Sequence, residues 1–349
     1  MTANQSWIDA LRQRGAQIEG NLAASFDAAH APARRDSNAV SLCPLLSRGL
    51  IAAEDPDAGE FLQGQLTNDI GLVSSTQAQS TAYCTAKGRV LTTLLLVKRD
   101  AAFFLVLPGE LAESVRKRLQ MYVLRSRVRL SDASAQKVLL GLAGASAPTL
   151  LRQGLGLTLS SPYQTAEQDG IVAVALPGAR VLLMVDAERA PAVWDRLAQD
   201  CAAAPEAVWD GYTIAAGVPV LTATTTDRFI PQMLNLELLG AVSFRKGCYT
   251  GQEIVARTEH LGQVKRRLFR FLSAQALLPG DAILSAVGEA GTVISCAPSP
   301  SGGFDLLAVV ATDAAGGLLL AADGAPLKAL RLPYSLPDVA TIGDGGDGD

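Results

Sequence analysis

The chain has 349 residues, 49% of them hydrophobic and 18% charged. It is too long for one compact core, which predicts two or three domains, and too apolar to remain disordered. Thirty lysines and arginines against 34 aspartates and glutamates leave a net charge of −4, which argues against a polyanion-binding surface over the whole protein and leaves only local basic patches.

The apolar runs at 94–97 and 103–107 are strand-sized, far below the roughly 20 residues that a membrane helix needs. The first eleven residues lack the basic start and apolar stretch of a secretory signal. A cytoplasmic protein without a membrane partner is the expectation. Two histidines, His30 and His260, argue against catalysis or a metal site built on several imidazoles. Five cysteines (Cys43, Cys84, Cys201, Cys248 and Cys296) are odd in number and never in C-x-x-C spacing. Reduced thiols and no metal site are expected.

In chain order, residues 1–38 open with an amphipathic stretch around Trp7, Ile8 and Leu11 and end in Arg34-Arg35-Asp36-Ser37-Asn38, which reads as a loosely packed N-terminal arm. Within 57–70 (DAGEFLQGQLTNDI), Phe61, Leu62, Gln65 and Leu66 recur at helical spacing and predict a helix closing near Asn68. Runs at 83–86, 89–97 and 103–107, parted by Lys87-Gly88 and Arg99-Asp100, predict a three-strand meander. Leu111, Val115, Leu119 and Tyr122 mark one face of a surface helix. A strand at 138–142, a hairpin of 171–176 with 180–185, and a helix carrying Val193, Trp194 and Leu197 complete the element order of a ferredoxin-like α+β unit over roughly 100–205. After Gln263, short runs broken by glycine turns predict a small barrel, and GDGGDGD at 343–349 reads as a frayed acidic tail.

The densest segment is 228–257, RFIPQMLNLELLGAVSFRKGCYTGQEIVAR. Residues 245–251 form a glycine-flanked polar turn, and a helix is predicted from Gln252. Cys248 then stands just ahead of a helix N-terminus and beside Arg245 and Lys246, two influences that favour thiolate over thiol. A functional thiolate is the reading for Cys248; the other four cysteines read as small buried apolar residues.

KGCYTGQEIVAR closely resembles the signature of the YgfZ family of folate-binding proteins, relatives of the aminomethyltransferase T-protein of glycine cleavage. The resemblance extends through Phe229-Ile230-Pro231-Gln232, Asn235-Leu236 and Gly217-Val218-Pro219, and through FLQGQLTND (61–69), AKGR (86–89) and Gly291-Thr292-Val293. It covers about residues 40–335. It implies an α+β, GcvT-like ring of three domains around an opening that holds tetrahydrofolate or a related reduced folate. The implied parts, beyond the arm, are a discontinuous folate-binding domain of 39–100 plus 206–262, a ferredoxin-like domain of 101–205, a β-barrel of 263–336 and the tail 337–349. The resemblance also implies a maturation factor for iron-sulfur cluster assembly or repair. Its partners would be iron-sulfur enzymes or assembly factors, and its link to tRNA methylthiolation indirect.

A reduced pterin needs paired donors and acceptors, its aminobenzoyl ring an apolar wall, and its glutamate tail cations. Gln252, Glu253, Asn235 and Asn68 can supply the first. Tyr249, Phe229 and Met233 can supply the second, and Arg245, Lys246 or Arg257 the third, around the turn bearing Gly247 and Gly251. Glu253 and Arg257, four apart, read equally well as a solvated helix pair, and Met233 reads better as core. Where many relatives carry an arginine and a glutamate before the A-G-[IV]-P step, this chain has Thr213 and Ala215, leaving Asp227 or Glu237 as substitutes. Lys265-Arg266-Arg267 with Arg270, and Arg125, Arg127 and Arg129, are local basic patches; the second set reads as one face of an exposed edge strand. The competing functions are a folate-dependent one-carbon (aminomethyl) transferase and a scaffold or RNA-binding module.

Overall fold

A computed structural model describes residues 4–27, 39–261 and 264–337. Its helices are α1 (Gln5–Gln13), α2 (Ala58–Gln63), α3 (Gly109–Gln120), α4 (Ala147–Leu155), α5 (Ala190–Leu197), α6 (Glu206–Ala215) and α7 (Gln252–Leu261). The expected meander forms as Gln79–Cys84, Val90–Arg99 and Ala102–Pro108. Side chains alternate buried and half-buried over the first six residues of Val90–Arg99, the period-two pattern of a strand between unlike surroundings.

These strands continue through Arg48–Glu54 to Arg129–Asp132, giving a five-stranded antiparallel sheet. A second sheet runs Thr165–Gln168, Ile171–Leu176, Arg180–Asp186, Lys137–Ala143, Ser41–Pro44 and Ala202–Ala203, with only the last pair parallel. Sheet membership therefore departs from the expected segmentation. Ala102–Pro108 and Arg129–Asp132, read as part of the ferredoxin-like unit, belong to the first sheet, whereas Ser41–Pro44 crosses to the second. Local alternation reports that a segment is a strand, and only tertiary pairing decides its neighbour.

The two sheets face each other across Leu50, Val97, Phe104, Leu139, Val174 and Leu182, with Trp209 of α6 in the same layer. On the far face of the second sheet lie α1, α4 and α5. Residues 4–27 of the expected N-terminal arm are accordingly packed rather than loose. Trp7 meets Trp194 edge-on at 5.8 Å, Phe26 stacks on Trp194 at 5.7 Å, and Arg14 pairs with Asp195 at 2.6 Å. Burying these rings is worth about 2–3 kcal/mol each, which the arm's polar ends concealed. His30, the polar run 34–38 and the acidic tail 343–349 lie outside the described residues.

The far face of the first sheet carries α2, α3 and the segment 214–242, then the C-terminal sheet. That sheet is antiparallel, in the order Leu320–Ala321, Ala282–Ser285, Gly288–Pro298, Phe304–Ala311, Arg266–Ser273 and Lys328–Leu330, and curls as a half-barrel. Buried Arg267 pairs with Glu237, and Arg270 pairs with Asp305 at 2.9 Å, so two of the four arginine and lysine residues expected in a basic patch face acidic partners. Arg127 pairs with Asp57 and Arg129 with Glu54, and the strand begins only at Arg129. Past the last strand, Tyr334 donates its hydroxyl to Gly217 O at 2.8 Å. No helix among the described residues is long and apolar enough to cross a membrane.

Candidate functional site

Two places concentrate chemistry: the loop around Cys248, and a cavity between the sheets. The loop is clamped from both sides. Lys246, 8% exposed, donates to three backbone carbonyls, Gln63 O at 2.7 Å, Leu66 O at 2.7 Å and Asn68 O at 2.8 Å. It thus satisfies acceptors at the end of α2 and in the turn that follows, as a cation at a helix C-terminus does. Burial lowers its pKa to about 8, opposed by nearby Asp69. Its ammonium also lies 5.2 Å from the centre of the Tyr249 ring.

On the other side Gly251 has φ +87°, and a Cβ there would stand 2.3 Å from Thr85 O and 3.0 Å from Gly88 Cα. Only glycine permits this backbone-to-backbone contact. The motifs FLQGQLTND, AKGR and KGCYTG, far apart in sequence, thus close on one another, and α7 follows with Gln252 N–H donating to Tyr249 O at 3.2 Å.

Three of the polar residues anticipated as ligands, Lys246, Asn68 and Asn235, hold this platform together. Asn68 donates to Ser80 O and Gly240 O and accepts from Asp69 N–H. Asn235, in the left-handed region at φ 56°, donates to Leu268 O and Tyr334 Oη and accepts from Arg267. Phe229 is buried in the core, and Tyr249 is buried with its hydroxyl lacking a partner among the described residues. Glu253 and Arg257 form an exposed pair at 2.9 Å, the solvated alternative. What the loop leaves outside is Arg245, Gly247 and Cys248, with Gln252 half-buried. Cys248 is the one exposed cysteine of the five; burial raises the thiol pKa of Cys84 and of Cys201 to about 12, and raises those of Cys43 and Cys296 too. Of the two cations expected beside it, Lys246 turns inward.

The cavity, of about 120 Å3, opens between the two sheets and α6. Its polar and aromatic lining includes Ser80, Thr93, Tyr163, Arg180, Trp209 and Thr213, and Gly217-Val218-Pro219 leads into its far wall at Val218 and Pro219. Trp209 is seated by Gly141 in the middle of Lys137–Ala143, where a Cβ would stand 2.4 Å from the indole. Arg180, 5% exposed, lies over that ring at 5.1 Å and donates to Pro177 O at 3.0 Å and Thr213 Oγ1 at 2.6 Å. Burial lowers its pKa to about 10. Tyr163 holds φ 63°, an uncommon backbone state for a bulky side chain that marks places over-determined by their surroundings. Thr213, singled out in sequence as a departure, lies at this cavity, whereas none of residues 245–257 lines it.

Sequence reasoning missed Arg180, Trp209 and Tyr163. Signals existed: an arginine opening the apolar run Arg180–Asp186, and a glycine inside VLLGLA where another group approaches closely. A ligand pocket normally spans roughly 300–1,000 Å3, so this cavity, at about 120 Å3, is small for one.

This layered arrangement is the aminomethyltransferase T fold. The solved glycine cleavage system aminomethyltransferase T from Bartonella henselae superposes with a TM-score of 0.77 at 19% identity, covering 94% of this chain and 96% of that one. No protein-family model matches the chain. Curated relatives named tRNA-modifying protein YgfZ align over most of it: from Klebsiella pneumoniae (strain 342) at 31% identity, covering 86% of this chain and 94% of the relative, and from Yersinia pestis (strain Pestoides F) at 32%, covering 89% and 97%. The chain belongs to the YgfZ family.

Proposed function

We propose that this protein binds a reduced folate at the cavity between its sheets and acts, through Cys248, in iron-sulfur cluster assembly or repair, supporting tRNA methylthiolation indirectly. The observation that carries the reading is the pairing of one accessible thiol on a rigid loop with a separate, partly polar cavity. The relatives' name supports the tRNA connection.

The division of labour follows from the chemistry. Tetrahydrofolate supplies one-carbon or reducing chemistry when bound. Arg180, Thr213 and Tyr163 offer hydrogen bonds to its polar atoms, and Trp209 with the aliphatic wall covers its rings. Cys248 can ligate iron or attack an electrophilic sulfur, provided it is presented to a protein client, as an exposed position allows. Lys246 and Gly251 fix the loop so that the thiol is displayed rather than folded back.

Anaerobic titration of tetrahydrofolate should show binding at micromolar strength or better to wild type and to Cys248→Ala alike. Cys248→Ala should also fail to restore cluster-enzyme activity in a deletion strain. No binding by wild type would sink the folate half, and full restoration by the variant would sink the thiolate half.

A further inference from the structure

The turn that follows α3 presents large apolar side chains to solvent. Leu119 and Val123 are buried, whereas Met121 is 64%, Tyr122 40% and Leu124 87% exposed. Tyr122, expected on the buried face of the helix, falls outside it because α3 ends at Gln120. Leu124 holds φ 42°, in the left-handed region that a bulky side chain rarely adopts. The turn is pinned on both sides of it: Ser126 N–H donates to Val123 O at 2.8 Å, and Arg127 N–H donates to Asp57 Oδ2 at 2.7 Å. Folding alone has no use for a leucine at that point, since the side chain is almost wholly in solvent and the backbone state suits glycine.

The charge around these side chains is predominantly positive. From Ser114 to Ser131 the chain carries six cations, Arg116, Lys117, Arg118, Arg125, Arg127 and Arg129, and no aspartate or glutamate. Three carboxylates meet them: Glu113 pairs with Arg116 and Lys117, Asp57 with Arg127, and Glu54 with Arg129. Arg125, exposed beside Leu124, has no partner among the described residues. The patch adjoins the platform under Cys248. Leu66, whose carbonyl Lys246 holds, pairs with Tyr83, and both Arg118 and Tyr122 act on the Tyr83 hydroxyl.

Exposed tyrosine, methionine and arginine side by side have the composition of a protein interface. RNA would use the cations and gain nothing from Leu124 and Met121, with one tyrosine in place of a stacking platform. A bilayer surface requires a broader apolar face than three side chains for stable attachment. We propose that Met121, Tyr122, Leu124 and Arg125 form a docking surface for a protein partner that presents an apolar depression rimmed by aspartate and glutamate. The proposal is independent of the roles assigned above to Cys248 and to the cavity between the sheets.

A photo-crosslinking residue, p-benzoylphenylalanine, installed at exposed Gln120 of the full-length chain in living cells of its own organism, tests it. A protein partner should be trapped there, and none by the same residue at exposed Lys328 on the half-barrel. The purified partner should bind wild type, and more weakly as salt rises. Its affinity should fall about tenfold or more for Leu124→Gly and for Arg125→Glu, and stay unchanged for Lys328→Glu. Leu124→Gly should melt no lower than wild type, because glycine accepts the left-handed backbone, so a binding loss is separated from a folding loss. Trapping of RNA, of lipid or of a second copy of this chain overturns the proposal, as does the absence of any trapped product. A trapped protein whose affinity ignores either Leu124→Gly or Arg125→Glu overturns it too, as does a Leu124→Gly protein that melts several degrees lower, which would make the leucine a folding residue.

Discussion

The Cys248 loop and the Arg180 cavity use cations in opposite ways. In the loop, Lys246 gives each of its three ammonium donors to a carbonyl, and the group left for chemistry is a cysteine at the surface. In the cavity, Arg180 is just as buried, yet the fold engages only part of its fork. What a side chain offers a ligand is decided by the donors its neighbours have not already taken. Residue type and local sequence context do not reveal that remainder.

Three experiments would break or sharpen this contrast. The largest effect is expected from Gly141→Ala, whose added methyl falls inside the Trp209 ring position and forces ring or strand to move. Overpacking of this kind costs about 3 kcal/mol. Chemical denaturation should show that loss together with weakened ligand binding, while alkylation of Cys248 keeps its rate. Wild-type stability in this variant would mean that the cavity floor is not rigidly seated, and the contrast would fail on the cavity side.

Lys246→Met should cost about 2 kcal/mol by leaving buried carbonyls without a donor. The pH dependence has a definite sign. The folded lysine titrates at about 8 and the unfolded one near 10.5. Between those values the unfolded chain holds the proton that the folded chain has released, so wild type gains stability relative to Lys246→Met as pH rises through that window. Urea midpoints of both proteins from pH 7 to 10.5 measure it; a constant difference would show that the lysine is not desolvated. Smallest is the structural effect of Cys248→Ser, expected within about 0.5 kcal/mol of wild type because the side chain is exposed. Iodoacetamide should label one thiol quickly in the native protein and none quickly in the variant, the buried thiols of Cys84 and Cys201 being held near 12.

The meander, the hairpin of Ile171–Leu176 with Arg180–Asp186 and the start of α7 were legible in the sequence because each is encoded by period and turn chemistry within some twenty residues. The assignment of Ser41–Pro44 to the second sheet was not, since its partner Lys137–Ala143 lies about a hundred residues away. The same distance problem hid the cavity. Tyr163, Arg180 and Trp209 come from three elements, and nothing in a linear reading brings an arginine at a strand start over a tryptophan from α6. The Cys248 loop was conspicuous for the opposite reason, as its glycines and charges are contiguous. Lys246, Asn68 and Asn235, conspicuous in the same reading, each donate to backbone carbonyls of the platform.

The hydroxyl of Tyr334 reaches across from the end of the half-barrel to Gly217, and a methyl at Gly217 would collide with its ring. Gly217 immediately precedes Val218 and Pro219 in the cavity wall. The carboxyl-terminal segment therefore works as a remote brace on the binding chamber. Trimming the chain just before residue 331 would leave every lining residue in place and still remove the contact that braces one wall.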